Sequence, residues 1–431
     1  MPLSRYCTIF PHPDDPGLVL LFSTRTTAAV TVPKVMINEI AQGRISHEEE
    51  ESLVTLGMLV QSHDAEQQDM AGYIDEMNRM SKALRMIVVM SLDCNLACPY
   101  CFEGTRKGKF YLSEKTADDL VSFIQGNAEG RAEIGLCFYG GEPLLSTKRI
   151  IEISEKLRTC SDAKGIKYSF SLITNGTLLT RPVVEELKMF GLRSCRVTLD
   201  GPRGLHDRSR PFRSGAGTFD IIIRNLEQAA GAIDVHVNGN FTEANYRAFP
   251  GLLDLLVGSG LGPDRISSIG FYPVFNEGTR VSPDFHDGCT STDELWVAEA
   301  GTFLRGEILA RGYRTEEVEP SACMIERTDH LVVNWDGSLY KCPGLIGRKE
   351  FCAGTVLTGV VDHASAHGIG NWKNAECLAC KYLPLCFGGC RYLKLIREGA
   401  LTGVDCKRAY FDRALEALVL QDVKYGNDRE G

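Results

Sequence analysis

The sequence has no apolar run long enough to span a bilayer, which takes about 20 consecutive apolar residues. Its opening residues, Met1-Pro2-Leu3-Ser4-Arg5-Tyr6-Cys7, lack the hydrophobic region of a secretion signal. These two absences lead to the expectation of a cytoplasmic protein. Excess positive charge is missing as well: 47 Lys and Arg stand against 56 Asp and Glu, a formal net charge of -9. No electrostatic reason therefore exists to expect nucleic acid or an anionic membrane as a partner. Apolar residues at 44% and charged residues at 24% are ordinary for a globular chain, and 431 residues suffice for two or three domains.

What the chain does have is cysteine, 16 in all. Without a secretion signal these are not expected to form a disulfide framework, because cytosolic thiols are kept reduced, so they are read first as metal ligands. Cys7, Cys137, Cys160, Cys195 and Cys289 stand alone and read as small buried hydrophobes. The others gather in two regions. In the first, Cys94, Cys98 and Cys101 place three thiols in eight residues directly after an apolar, strand-like run. A closed zinc or iron-sulfur site takes four ligands, so this set is either a cluster with one iron left open or half of a zinc site completed by a distant Cys or His. In the second region Cys323, Cys342, Cys377, Cys380, Cys386, Cys390 and Cys406, with Cys352 close by, are compatible with iron-sulfur clusters or a structural zinc ribbon.

Four segments follow from the patterning. Residues 1–62 read as a small α+β unit: short β-rich runs at 7–10, 18–22 and 28–32, a helix opened by Pro33 and ended by Gly43, and a second helix capped by Ser46 with Glu48, Glu49 and Glu50 in its first turn. Residues 63–85 read as a connecting helix, with Met70, Tyr73, Ile74 and Met77 at helical spacing. Over 86–310, apolar runs at 86–92, 134–139, 168–173, 195–199, 233–238 and 266–274 alternate with amphipathic stretches near 114–126, 147–159, 182–190, 218–231 and 247–258. Six such repeats with right-handed crossovers build an α/β parallel sheet curved towards a barrel, and ligands of such sheets bind at the carboxyl ends of the strands. Residues 311–431 hold the second group of cysteines.

The motifs of the third segment fall at those strand ends. The three-cysteine loop follows the first strand, and Tyr139-Gly140-Gly141-Glu142-Pro143 follows the second, its glycines permitting close backbone approach to a ligand. Thr174-Asn175-Gly176-Thr177 and Thr198-Leu199-Asp200-Gly201-Pro202 follow the third and fourth. Taken singly these are ordinary turns.

The loop Cys94-x-x-x-Cys98-x-Tyr100-Cys101 resembles the cluster loop of the radical S-adenosylmethionine (SAM) enzymes. Gly140, Gly141 and Glu142 are similar to the family segment that contacts the methionine amino group of SAM, and Thr174, Asn175 and Thr198 to segments near its ribose and carboxylate. His206-Asp207, Arg210 and Gly217-Thr218-Phe219 complete a pattern that resembles the peptide-modifying branch, with Arg210 placed to pair with the SAM carboxylate. The C-terminal cysteines resemble the SPASM extension, which carries auxiliary 4Fe-4S clusters. The layout looks closest to the geopeptide maturases, and residues 1–62 resemble the winged-helix domain that such enzymes use to hold a leader sequence. The resemblance thus implies a partial (β/α)6 radical SAM barrel flanked by a winged-helix-like leader-recognition domain and a SPASM domain.

It also implies three 4Fe-4S clusters. Cys94, Cys98 and Cys101 would hold the one that binds SAM, with Tyr100 beside it. Cys377, Cys380, Cys386 and Cys406 would close an auxiliary cluster. Cys323, Cys342 and Cys390 would hold another, and because no cysteine stands between Cys323 and Cys342, either Cys352 fills the fourth place or the iron is open to a substrate thiolate. The implied activity is reductive cleavage of SAM, fed by a low-potential donor such as flavodoxin or ferredoxin, to install a thioether or other carbon-centred crosslink in a ribosomally made peptide with a leader. An anaerobic sulfatase-maturing, formylglycine-forming enzyme is the alternative among enzymes, although 93 residues precede Cys94 here; an iron-sulfur carrier or scaffold is the alternative outside them. Glu103, Asp200 and Tyr272 are each possible acid-base groups, and the sequence does not choose among them.

Overall fold

The computed structural model describes residues 1–276, 282 and 285–426, with the backbone alone at Thr105. These fall into two compact units, one made of Met1–Met80, Glu317–Arg327 and the described residues from Ala364 on, the other of Ser81–Glu316 and Thr328–His363.

The first unit opens with an antiparallel sheet of β1 (Cys7–Pro11), β2 (Leu18–Ser23) and β3 (Ala29–Pro33), with β2 in the middle. Three helices follow, α1 (Lys34–Ala41), α2 (His47–Thr55) and α3 (His63–Met80). The expected cap of α2 is present: the Ser46 hydroxyl accepts from the Glu49 N–H at 3.2 Å and the Glu49 carboxylate accepts from the Ser46 N–H at 2.8 Å. Successive side chains of a strand point to opposite faces, and β2 is apolar on both. Val19 and Leu21 pack with Val32, Ile40, Leu53, Met58 and Leu59. Leu20 and Phe22, with Phe10, pack instead against Tyr382, Leu385, Phe411, Leu415 and Val419. The N-terminal sheet and the cysteine-rich C-terminal segment thus share one core.

The second unit carries β4 (Ala83–Ser91), α4 (Glu114–Gly126), β5 (Glu133–Gly140), α5 (Thr147–Lys164), β6 (Lys167–Thr174), α6 (Arg181–Met189), β7 (Leu192–Thr198), α7 (Arg203–Ser209), α8 (Phe219–Ala229), β8 (Asp234–Phe241), α9 (Pro250–Gly258), β9 (Ser268–Pro273) and α10 (Leu295–Ala310). Strands β4 to β9 are neighbours in sequence order and all parallel, the partial (β/α)6 barrel. Leu84, Met86, Val88 and Met90 alternate along β4 into the main core beneath the helices. The helical pattern read over 63–85 stops at Met80, and the first strand starts at Ala83 rather than 86. Ala83, Leu84 and Arg85 pair with Glu133, Ile134 and Gly135, so ladder formation overrides the helical preference of these residues.

Two further strands, not foreseen, extend the sheet beyond β4: β10 (His330–Val333) runs parallel to it and β11 (Leu339–Tyr340) antiparallel to β10. Asp336-Gly337 between two apolar runs was the available hairpin signal, and Gly337 does take a φ of 83°. Among the described residues no helix is long and apolar enough to cross a membrane.

Candidate active site

The loop between β4 and α4 is held from below by Asp93. Its carboxylate accepts from the Cys94 N–H at 3.0 Å, from Arg213 at 2.8 Å and from the Tyr111 hydroxyl. Burial pushes the Asp93 carboxyl up, but these hydrogen bonds outweigh it and hold the group below its ordinary value. On this support the three thiols turn towards one region. Lys107 registers it: burial pushes its ammonium down, yet Cys101, Cys98 and Cys94 in that order push it up and prevail. Cys94 itself is buried and its thiol is pushed up to about 11 by that burial.

The turn after β5 locks onto this loop. Gly141 N–H donates to the Ser91 carbonyl at 2.9 Å and Glu142 N–H to the Asp93 carbonyl at 2.8 Å. Gly140 has a φ of 130°, and a Cβ there would lie 2.2 Å from the Ser91 oxygen; one on Gly141 would lie 2.1 Å from the Asp93 oxygen. The glycines were expected to let backbone approach a ligand. What they admit first is the backbone of the cysteine loop, a contact no other residue type allows. Glu142 is fully buried and accepts from the Leu144 N–H at 3.0 Å, the Thr174 hydroxyl at 2.7 Å and the Asn175 N–H at 2.8 Å, which ties the β5 turn to the end of β6.

Above these elements lies a cavity of about 310 Å³ at the carboxyl ends of the strands. Cys94, Cys98, Cys101, Tyr100, Gly140, Gly141, Thr174, Asn175, Thr198 and Arg210 all line it, and of the candidate cofactor residues Glu142 alone does not. Asn175 reaches over the loop, its amide donating to Asn95 at 2.8 Å and standing 3.8 Å from the Cys94 sulfur. Arg210 donates to the Tyr100 hydroxyl at 2.6 Å, and that hydroxyl in turn donates to Asp200. Asp200 is 1% exposed and accepts also from the Asn240 N–H at 2.8 Å. Burial pushes its carboxyl up, against Arg210, Tyr100 and Asn240.

The three acid-base candidates therefore separate. Asp200 is occupied by Tyr100 and Asn240 and lies behind the cavity wall, and the Tyr272 hydroxyl donates to Glu316 at 2.5 Å outside it. Glu103 lines the cavity, and its burial raises its carboxyl to about 7. Lys107, Tyr139, Asn240, Pro273 and Phe275 also line the wall and were not singled out from the sequence. They come from strand ends and loops with no motif of their own; only the position of Tyr139 before the two glycines gave any signal.

In the first unit the C-terminal thiols form two neighbourhoods. After burial, the Cys377 thiol feels Cys406 and Cys380, and the Cys386 thiol feels Cys380 and Cys377. Cys390 is similarly placed beside Cys323. Cys342 and Cys352 belong to the second unit, where the Cys352 thiol lies 3.1 Å from the Gly354 carbonyl. Among the described residues no three His, Cys, Asp or Glu side chains already stand at metal-holding spacing, so the fit of a cluster rests on Cys94, Cys98 and Cys101 lining one cavity.

Comparison with known proteins agrees with this site. Residues 88–255 match the model of the Radical SAM superfamily. The Fe-coproporphyrin III synthase of Methanosarcina barkeri is 30% identical over 203 residues, covering 46% of this chain and 47% of that protein, so the chain spans about half the length of this relative. The cysteine-type anaerobic sulfatase-maturating enzyme of Clostridium perfringens is 26% identical over 364 residues, 73% of this chain and 90% of that protein. Among solved structures, anSMEcpe with bound AdoMet and Kp18Cys peptide gives a TM-score of 0.61 at 19% identity, covering 80% of this chain and 99% of that one. SuiB of Streptococcus suis bound to precursor peptide SuiA gives 0.52 at 15% identity, covering 94% and 98%.

Residues 88–255 thus carry a match to the radical SAM superfamily, whose members bind SAM and a 4Fe-4S cluster. Over most of its length the chain shares the fold of these two solved structures.

Proposed function

We propose that the protein matures a ribosomally made peptide, cleaving SAM reductively and forming a thioether or other carbon-centred crosslink. The observation that carries this reading is the convergence of three thiols from one loop on a cavity floored by Gly140 and Gly141. A pure electron carrier needs no such cavity. When bound, the cluster and SAM supply one-electron chemistry that yields methionine and a 5'-deoxyadenosyl radical able to take a hydrogen atom from an unactivated carbon. Cys94, Cys98 and Cys101 are assigned to that cluster, and Asp93 fixes their loop. Tyr100, Thr174, Asn175, Thr198 and Arg210 are assigned to the walls that orient SAM. Glu142 acts through Thr174 and Asn175 and not by contact.

Closing a crosslink removes a second hydrogen as a proton and an electron, and the electron needs an acceptor. Auxiliary clusters are assigned this task, one of them on Cys377, Cys380, Cys386 and Cys406. A flavodoxin or ferredoxin is the proposed source of the electron that starts each turnover.

The leader is assigned to the free edge of β3. Lys34 N–H donates to the Gly17 carbonyl at 2.8 Å and Ser23 N–H to the Ala28 carbonyl at 3.0 Å. With the register Leu18↔Pro33 to Phe22↔Ala29, hydrogen-bonded pairs alternate, so Val30 and Val32 bond to β2 while Ala29 and Thr31 turn their main-chain groups outwards. Pro33 has no N–H and ends the edge. A leader strand adding here would pair with Ala29 and Thr31.

Deleting residues 1–62 would strip Phe10, Leu20 and Phe22 from a core shared with the C-terminal segment, so a point change is the better probe. Thr31→Pro removes one outward N–H and leaves the bonds to β2. Affinity for the precursor peptide encoded beside the enzyme, measured by fluorescence anisotropy, is expected to fall about tenfold, the worth of roughly one lost hydrogen bond, with SAM cleavage in the absence of peptide unchanged. Unaltered peptide affinity would remove the leader assignment.

The function itself is tested on anaerobically reconstituted protein supplied with SAM, reductant and that encoded peptide. Formation of 5'-deoxyadenosine together with a peptide lighter by two hydrogens is the expected result. The similarity to the sulfatase-maturating enzyme favours formylglycine formation as the second reading. Conversion of a Cys-containing sulfatase peptide to formylglycine, with the encoded peptide untouched, would establish it instead.

A further inference from the structure

Among the polar side chains that wall the cavity, Glu103 is distinctive. It is 3% exposed, and neither carboxyl oxygen has a hydrogen-bond partner among the described residues. Buried polar groups in native proteins almost always have a partner, and a buried carboxyl without one is costly. The wall around it is built tightly: Phe102 stacks on Tyr139 with ring centroids 6.4 Å apart and planes 9° from parallel, and Tyr139 immediately precedes the two glycines. Lys107 and Arg106 are its neighbouring charges, and neither hydrogen-bonds to it.

A group of opposite sense belongs to the same cavity wall, because Arg210 Nε is buried without an acceptor among the described residues. The unmet carboxyl and the unmet N–H thus belong to two residues that line one space of about 310 Å³. The occupant that satisfies both must carry an N–H or O–H donor and an anionic acceptor. It must also lie against the cysteine loop, since Glu103 stands two residues after Cys101 and shares Lys107 with all three thiols. A small zwitterion fits that description better than a segment of peptide.

We propose that Glu103 accepts a hydrogen bond from an amino or hydroxyl group of SAM and sets the affinity of the site for that cofactor. This rests on the cofactor reading above and assigns to the cavity a specificity residue outside the cysteine, glycine and strand-end motifs. Glu103→Met keeps length and removes both acceptors; Glu103→Gln keeps one.

The test is SAM binding to reconstituted, unreduced protein by equilibrium dialysis, with iron content and thermal midpoint measured on the same samples. Glu103→Met is expected to weaken SAM binding tenfold or more and Glu103→Gln by threefold or less, with iron content and thermal midpoint no lower than in the parent protein. An unpartnered carboxyl replaced by an apolar group does not destabilise a fold, so loss of affinity without loss of stability separates ligand contact from a structural role. Equal SAM affinity in Glu103→Met and parent overturns this assignment alone. A parent protein that holds iron and binds no SAM overturns it together with the reading on which it rests. Should Glu103→Met fail to fold, Glu103→Leu takes its place in the same comparison.

Discussion

Alanine in place of Cys94, Cys98 or Cys101 is expected to reduce SAM cleavage below about 1% of the parent rate, since even changes one layer out from a metal cost about 10–100-fold. Each of these thiols is one of only three that the loop supplies. Asn175 and Lys107, both beside these thiols, do not substitute, being respectively a neutral amide already donating to Asn95 and a cation. The auxiliary set should survive, since Cys377, Cys380, Cys386 and Cys406 belong to the other unit and rest on their own segment. Iron analysis should therefore fall by about four atoms per chain, the content of one 4Fe-4S cluster, and not to zero. Retained 5'-deoxyadenosine formation in any of the three variants would refute the assignment of the cluster loop.

Glu326→Leu carries the second large effect, on stability. Glu326 and Arg391 form an ion pair at 2.8 Å with side chains 2% and 0% exposed. Arg391 also donates to the Gly388 carbonyl at 2.8 Å and the Gly368 carbonyl at 3.3 Å, and Glu326 accepts from the Gly370 N–H at 3.0 Å. Glu326 lies three residues after Cys323 and Arg391 directly follows Cys390, so the pair fastens together the two segments whose thiols face each other. Removing the carboxylate leaves a buried guanidinium without its counter-charge, which costs about 3–5 kcal/mol. Chemical denaturation under anaerobic conditions should show this loss. Adding Arg391→Met to Glu326→Leu should recover part of it, because the uncompensated charge is then gone. A Glu326→Leu variant as stable as the parent would show that the pair does not hold the segments.

The barrel was legible because its signals are local and repeated. Buried strands read as apolar runs, helices as amphipathic stretches, and the turns at strand ends carry Gly, Thr, Asn and Asp. The cysteine loop and the Gly140-Gly141 turn were legible for the same reason, although the physical role of the glycines was not, since Ser91 and Asp93 come within reach of them only once β4 and β5 are paired. Glu103, Lys107 and Asn240 carry no pattern, and their place in the cavity wall follows from tertiary structure alone. Strands β10 and β11 were hidden between two cysteines that drew attention to metal binding. The double-sided apolarity of β2 announced that both faces are covered, but not that residues nearly 400 positions later cover one of them.

That last arrangement sets the order of events at the ribosome. Leu20 and Phe22 leave the exit tunnel nearly 400 residues ahead of Phe411, Leu415 and Val419. At ordinary elongation rates the face of the sheet waits roughly 20–80 s for its cover. During that time the nascent chain presents an open apolar strand surface, and the cysteines of the final segment are not yet in place. Until that cover arrives the sheet holds only the half of its core that its own helices supply.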